Sequence, residues 1–505
     1  MRIKGFEKLG DMRSFSLVKR EGEHTICKFT FRGAVGDTLP LLSLEGSPIT
    51  VQRDDGSTMF YGILRLVSVE QSHHGAILSA EASSYSTLAD VETHTRIFQN
   101  PTQKLQDFLP KLKWSEAKCE LDLGEAGGKN PVGLTVANEE TNSVIQNEET
   151  DFAFLRRLVD EQNFHLWIID TNSGRTELRV AKHLTERQII AKDIISITRQ
   201  REQGKVNIFL RAAARAELDT GQQVKIEGIP GKFIVMTKTV KKERETFIFD
   251  YELKEETSST NFISIEEKAR VFAVEITDNN DPKHMGRVQV KFTDEKIEDM
   301  GEAPNVLWIP YRTHYAGKNG QGGIVFLPDI GDHAEALLLG KRLWIADSFR
   351  KESLMDECSK IEEKYIGNNT KQRIFWKEKS LEFFSFQNSI VMDEEKIILS
   401  IGDSKTQISM NKDKITLQTV DNTVELSPQG IRVKSERDIA LHSEKNAQIK
   451  SQQGLQMESG KDYLAKAEGN MNVETSSKLT MNVSSETLLK SGRKITIDGS
   501  AVDIC

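Results

Sequence analysis

The sequence predicts a mainly β chain that ends in a stiff rod. Three observations carry this expectation: an eight-residue repeat that runs without a slip from Ile431, alternating apolar and polar segments broken by turn signals over the first half of the chain, and about five short strands packed into fewer than eighty residues after Val271. Alternation with period two places one face of each segment in a core and the other in water, which is the pattern of strands.

In chain order, Met1 to about Ser84 holds segments such as HTICKFTF and SPITVQRDDGSTMFYGILRLVSVEQS around the turn Asp54-Asp55-Gly56. They predict antiparallel strands closing a small barrel. Residues 88–112 turn mixed, and NPTQKLQDFLPKL predicts a short helix with proline at its first position. In VIQNEETDFAFLRRLVDEQNFHLWIID, Thr150 or Asp151 can cap a helix whose face is Phe152, Leu155, Leu158 and Val159, with a strand ending in FHLWIID after it. Residues 194–253 return to strands, two of them around the GIPG turn of LDTGQQVKIEGIPGKFIVMTKTVKK. The block that starts at VFAVEITDNNDPKHMGRVQVKFTDEK has a turn at DNNDP and an alternating strand at GRVQVKF. It predicts a small closed barrel of the oligonucleotide/oligosaccharide-binding (OB) type, a fold that does not itself establish binding.

The repeat places pairs two apart at Ile431/Val433, Ile439/Leu441, Ala447/Ile449, Leu455/Met457, Tyr463/Ala465, Met471/Val473, Leu479/Met481, Thr487/Leu489 and Ile495/Ile497. Two places on sits a mostly small residue, Ser435, Ser443, Ser451 and Ser459 among them. Before each new pair comes a turn-prone residue such as Asp438, Asn446, Gly454, Asp462 or Asn470, expected to adopt left-handed backbone or an Asx turn. A helix would not confine its apolar stripe to two sites in eight. A strand of about five residues spans only ~17 Å, so one octad cannot enclose a core. Either three successive octads of one chain form a triangular coil or three chains wind together, and periodicity does not choose between them. Upstream, Ile415/Leu417 and Val424/Leu426 keep a weaker, irregular register, which suggests a wider neck. The chain is expected to stop at the rod tip, leaving no space there for a catalytic domain.

A net charge of −8, with 37% apolar and 29% charged residues, describes a polar, soluble chain and argues against nucleic acid, which recruits basic faces. No stretch has the length of a signal-peptide core or a membrane span. Cys27, Cys119, Cys358 and Cys505 are far apart and read as reduced structural thiols. Metal and phosphate chemistry find little support. HExxH and GxSxG are absent, AGKNGQGG lacks Walker spacing, and His73-His74 would point to opposite faces of a strand. The chain is expected to be no enzyme and to hold no cofactor or metal.

Three motifs carry a resemblance: DNNDPKHMGRVQVKF (Asp281, Pro282, Gly286, Arg287, Val288, Val290, Phe292), YAGKNGQGGIVFLPDIGD (Ala316, Gly317, Gly320, Phe326, Pro328, Gly331, Asp332) and QNEETDFAFLRRL (Gln146, Glu149, Asp151, Phe152, Phe154, Leu155, Leu158). With the octads behind them, they resemble the VgrG family of type VI secretion and the related hub and spike proteins of contractile phage tails. The chain departs from that family after the OB block, where KRLWIADSFRKESLMDECSKIEEKYIGNN replaces a proline-rich continuation, and again at Phe375–Asp393. The type of contractile machine stays open.

The resemblance implies a homotrimer with a hub of two β-barrels and a mixed α/β insert over residues 1–265, an OB collar over 266–346, a neck over 347–400 and a triple-stranded β-helix over 401–505. Its rod axis would be lined by Ile431, Val433, Ile439, Leu441, Ile449, Leu455, Met457, Met471, Val473, Leu479, Met481, Leu489, Ile495 and Ile497. Val502, Ile504 and Cys505 would meet a PAAR-like tip protein. Inner-tube and baseplate proteins would meet the hub, with effector cargo as a further partner and the target membrane a transient one. Assembly would take place in the cytoplasm without a signal peptide, and delivery outside the cell or into a target cell on contraction. The alternative is a trimeric β-helical tailspike or adhesin that binds or depolymerises surface polysaccharide. Such a protein lines its coils with aromatics, whereas this rod has one, Tyr463.

Overall fold

The chain is described by a computed structural model that covers residues 1–505 except 74, 101, 137–138, 171–173, 203–204, 214–215, 245, 257–268, 299–306, 316–322, 350–362, 369, 403–404 and 504–505. It is mainly β and divides into two units, Met1–Leu354 and Met355–Cys505.

In the first unit the alternating N-terminal segments form strands in the spatial order Arg2–Ile3, Pro48–Gln52, Thr58–Ser72, Gly75–Ser83, Glu23–Gly33 and Met12–Arg20. The strands of the 194–253 region do not stand apart from them. Met12–Arg20 pairs antiparallel with Ile229–Glu243, Leu17 opposite Val240, so both groups share one sheet. They also share one core, in which Phe15, Leu17, Phe29 and Phe60 meet Leu210, Phe233, Val240 and Leu253. The expected turn at GIPG lies earlier in the chain: Ile226 pairs with Ile229 across Glu227-Gly228. Gly228 has φ +81°, which glycine alone adopts at no steric cost, and Pro230 falls inside the next strand. His73 lies in the turn between two strands rather than on a strand, and His74 is outside the described residues.

The short helix is Leu105–Phe108 followed by a tighter turn at Leu109–Lys111, without Pro101 as its first residue. Pro110, with no N–H to donate, suits the start of that second turn. The longer helix is Asp151–Glu161, and Thr150 caps it by accepting the Ala153 N–H at 3.1 Å. Phe152, Leu155, Leu158 and Val159 are buried as the pattern required, together with Phe154. His165–Asp170 follows and joins Thr176–Ala181 and Cys119–Asp122 in a small sheet.

The OB barrel consists of Ala269–Asp278, Arg287–Phe292, Trp308–Pro310, His333–Leu339 and Arg342–Phe349. Its outer strands meet where Tyr311 bridges to Ile345 and the Arg312 N–H donates to the Ile345 carbonyl at 2.9 Å. Phe272, Val274, Val288, Val290 and Ile345 fill it, and Ile97, Leu134, Val136 and Ile145 from the first 150 residues pack into the same core.

The DNNDP motif makes a sealed turn. Asp281, 4% exposed, accepts the N–H groups of Lys283 at 3.0 Å and Met285 at 2.8 Å, and both Nε and Nη2 of Arg287 at 3.0 and 2.6 Å. The Arg287 guanidinium and these amides hold its carboxyl far below the usual carboxylate range. Because the folded value is depressed, the contribution is complete above the unfolded value of about 4 and is lost as pH falls below it. Stability measured by urea unfolding is expected to fall with pH between about 4 and 2, and less steeply in Asp281→Asn; equal slopes would contradict the assignment. Asp281→Ala, which strands the buried Arg287, is expected to cost about 3–5 kcal/mol.

Cys27 and Cys119 are buried free thiols, the first raised far above its ordinary value by burial and the second pushed up to about 12 by the same cause. Cys358 lies outside the described residues.

Among the described residues the second unit has nine strands from Lys364–Gly367 to Gly430–Ser435, each antiparallel to the next in sequence. The sheet passes position 400 unbroken, because the strands on either side of it, Asn388–Asp393, Lys396–Ile401 and Thr406–Asn411, pair in ordinary hairpins.

Candidate assembly face and charged joint

Register in the nine-stranded sheet lines up its apolar residues. One row crosses every strand: Ile366, Ile374, Phe383, Ile390, Leu399, Ile408, Leu417, Val424 and Val433. A second runs through Trp376, Leu381, Met392, Ile397, Met410, Ile415, Leu426 and Ile431, with Lys364 at its head. Each strand contributes residues two apart, so both rows lie on one face. Among the described residues that face is left open: Ile366, Trp376, Ile390, Ile408, Leu417 and Ile431 are 37–74% exposed. An antiparallel sheet ordinarily solvates its polar face and packs the apolar one.

The opposite face changes character along the sheet. It carries Tyr365, Phe375, Phe384, Val391 and Ile398 on the first five strands, and Ser409, Thr416, Glu425 and Arg432 on the last four. Arg373 lies over the Tyr365 ring and Lys377 over the Phe375 ring.

Pair spacing separates the two parts of this unit. From Ile374 the first members of successive pairs stand 7, 9, 7, 11, 7, 9 and 7 apart, ending at Ile431. Alternate turns of a meander lie at opposite ends of its strands, so the spacing alternates unless the pair is centred. Beyond Ile431 every spacing is eight. A constant spacing makes every turn equivalent, as in a chain that winds in one sense. The last ladder, with Val424 opposite Val433 and Asn422 opposite Ser435, ends where the strict octads begin.

From residue 438 the described chain is extended and has no backbone ladder within itself. It bends at 444–445, 452–453, 460–461, 468–469, 476–477, 484–485 and 492–493, once per octad. The corners differ from the expectation. None of their described residues has left-handed backbone. Instead the Ser443, Ser451 and Ser459 hydroxyls donate to the carbonyls of Asn446, Gly454 and Asp462 at 3.1, 2.7 and 2.7 Å. The small residue thus closes the turn, and the turn-prone residue supplies its carbonyl.

The structure places Ile431 and Val433 on the last strand of the sheet and Ile439, Leu441, Ile449, Leu455, Met457, Met471, Val473, Leu479, Met481, Leu489, Ile495 and Ile497 along the extended run, all at least 52% exposed in the single chain. Val502 is 49% exposed, and Ile504 and Cys505 lie outside the described residues. Ala316, Gly317 and Gly320 are also outside them.

In the first unit, the QNEETDFAF motif meets side chains that sequence reasoning missed. Arg96, 1% exposed, donates to Gln146 Oε1 at 2.9 Å, to Asp151 Oδ1, and through Nε to Glu298 Oε2 at 2.8 Å. Glu298 also pairs with His94, and its N–H donates to the Thr95 carbonyl at 2.9 Å. Arg270, at the start of the OB barrel, reaches Thr95 Oγ1 and Asn147 Oδ1, each at 2.9 Å. Strand and helix start are therefore joined by buried charge-assisted bonds and the barrel to them by part-buried ones, the stronger class of hydrogen bond. Arg96 sits in THTRIF with no local signal beyond a charge just before an apolar pair, Ile97 and Phe98. Among the described residues no group of three His, Cys, Asp or Glu side chains is placed to hold a metal ion, and no helix is long and apolar enough to cross a membrane.

Comparison with known proteins follows from this geometry. Residues 273–340 match the family model of the type VI secretion system/phage-baseplate injector OB domain. No curated protein sequence matches the chain. The Escherichia coli c3393 protein, a component of the type VI secretion system with structural similarity to the T4 bacteriophage tail proteins gp27 and gp5, has TM-score 0.51 at 12% identity over 69% of this chain and 99% of its own. The Francisella PdpA-VgrG complex gives 0.49 at 9% identity over 84% and 76%, and the 43 kDa tail protein of prophage MuSo2 from Shewanella oneidensis 0.40 at 7% identity over 50% and 97%. The resemblance to the VgrG and contractile-tail spike family read from the sequence thus holds: residues 273–340 match the injector OB domain of type VI secretion systems and phage baseplates, and over 69% of its length the chain shares the fold of a type VI secretion component.

Proposed function

We propose that three copies of this chain form the spike of a contractile injection apparatus, coupling an inner tube to a needle that punctures an envelope. The observation that carries this reading is the pair of apolar rows on the nine-stranded sheet, which continue at strict octad spacing into a run whose described residues form no backbone ladder in their own chain. A single-chain coil would ladder each octad to the one three octads on. The absence of such ladders among the described residues supports three interwound chains, whose backbones satisfy one another. Three sheets would then close their apolar faces into a prism, and the octads would continue it as a triple-stranded β-helix lined by the axis residues from Ile431 to Ile497.

Residues 1–265 serve as hub, 266–346 as collar, 347–400 as neck and 401–505 as spike, with the apolar rows reaching from neck into spike. In this reading thrust enters at the hub from tube and baseplate proteins and crosses the Arg96–Glu298 joint into the collar. It leaves through a rod whose rungs must all be unpaired to free one chain. Val502, Ile504 and Cys505 face a PAAR-like tip protein, effector cargo rides on the assembly, and the chain works outside the cell that made it without catalysing a reaction. Native mass measurement tests this: about 171 kDa, three times 57.0 kDa, is expected, and a 57.0 kDa particle at micromolar concentration would refute it.

A further inference from the structure

The OB barrel carries an apolar knob that no described residue of its own chain covers. Val325, Phe326 and Ile330 are 77%, 65% and 63% exposed on the loop before strand His333–Leu339. This loop is fixed at both ends. The Thr313 hydroxyl donates to the Ile324 carbonyl at 2.6 Å, the Ile324 N–H to the Tyr315 carbonyl at 2.8 Å, Asn279 Nδ2 to the Pro328 carbonyl at 2.9 Å, and the Asp329 N–H to Asp332 Oδ2 at 2.9 Å. Pro328 is buried beneath it. A braced loop that holds large apolar side chains in water marks an interaction surface.

The same unit contains a recess of about 620 Å³, with apolar walls from Ile26, Leu134, Val144, Ile145, Phe152 and Leu338 and with Arg156, Arg157, Asp160 and Glu161 also lining it. The knob precedes the first residue of the His333–Leu339 strand, and the recess is reached at the other end, through Leu338, Gly340 and Lys341. A strand of that length separates the two by roughly 20 Å at ~3.3 Å per residue. In the single chain the knob stays exposed and the recess open.

We propose that Val325 and Phe326 of one copy insert into the recess of the next copy. Two different patches on one chain make a head-to-tail contact, which closes on itself when the rotation per copy divides a full turn. Three copies give such a ring, so the inference rests on the three-copy reading above and assigns a second contact to it, within the first unit.

Cross-linking of the full chain tests the contact. In a Cys358→Ser/Cys505→Ser background, where Cys27 and Cys119 are buried, Ile26→Cys and Phe326→Cys are combined and treated with a short bis-maleimide. More than half of the chains are expected in covalent trimers on denaturing gels, with at least a tenfold drop for either cysteine alone. A 171 kDa native particle that yields no cross-linked species, or yields only internally linked monomers, overturns the contact while leaving the trimer in place. A native mass of 57.0 kDa overturns both readings.

Discussion

Ile439→Asp is expected to abolish assembly of the rod. Ile439 is the first axis residue beyond the last intrachain ladder, 56% exposed in the single chain, and in the proposed trimer three copies of it meet. The substitution removes three buried isoleucines, each worth about 1.5–3 kcal/mol. It also brings three carboxylates together in a dry axis, at an effective penalty of several kcal/mol per ion. The sum exceeds about 10 kcal/mol, comparable with the whole stability of an ordinary domain. The purified variant is expected as 57.0 kDa chains or as aggregates, while Lys445→Asp, at a solvent-facing bend of the same octad, retains the trimer. A trimeric, fully folded Ile439→Asp protein would remove the basis for an interwound rod.

Arg96→Met is expected to cost the first unit about 3–5 kcal/mol, the usual result of removing one partner from a buried ionic network. Methionine keeps the length and apolar stem of arginine, so the loss is mainly electrostatic. It takes the charged donor from Asp151, 5% exposed, and from Gln146, fully buried, and it leaves Glu298 tied to the strand only by His94 and by its own N–H to the Thr95 carbonyl. Thermal unfolding should fall by about 5 °C, at roughly 1–2 °C per kcal/mol for the unit Met1–Leu354. Pairing Arg96→Met with Asp151→Asn should recover part of the loss, because the unpaired carboxylate is then gone. A loss below about 1 kcal/mol, or strict additivity of the two changes, would show that the joint is not a network.

Local chemistry accounts for what could be read in advance. Thr150 caps its helix because a hydroxyl one residue before an amphipathic run can accept a free N–H, and both residues lie in one short segment. Asp281 and Arg287 are six positions apart, so the turn they seal is also written locally. By contrast, Arg96 meets Gln146, Asp151 and Glu298 across 50 to 202 positions, and no short pattern announces such a meeting. The meander upstream of Ile415 was missed for a different reason. Its apolar pairs alternate between a spacing of seven and one of nine or eleven, which a search for one fixed period passes over.

The sequence by itself determined which positions are apolar, which face of each strand they share, and where the repeat becomes constant. These follow from side-chain alternation and turn chemistry within a few residues. Only the tertiary structure decided that the N-terminal strands and those of the 194–253 region form one sheet, that four residues of the first 150 complete the OB core, and that the apolar residues between Ile366 and Val433 line up in two rows on one face. Those outcomes depend on which strands lie side by side and in what register. That choice is made by burial and hydrogen bonding between segments far apart in the chain.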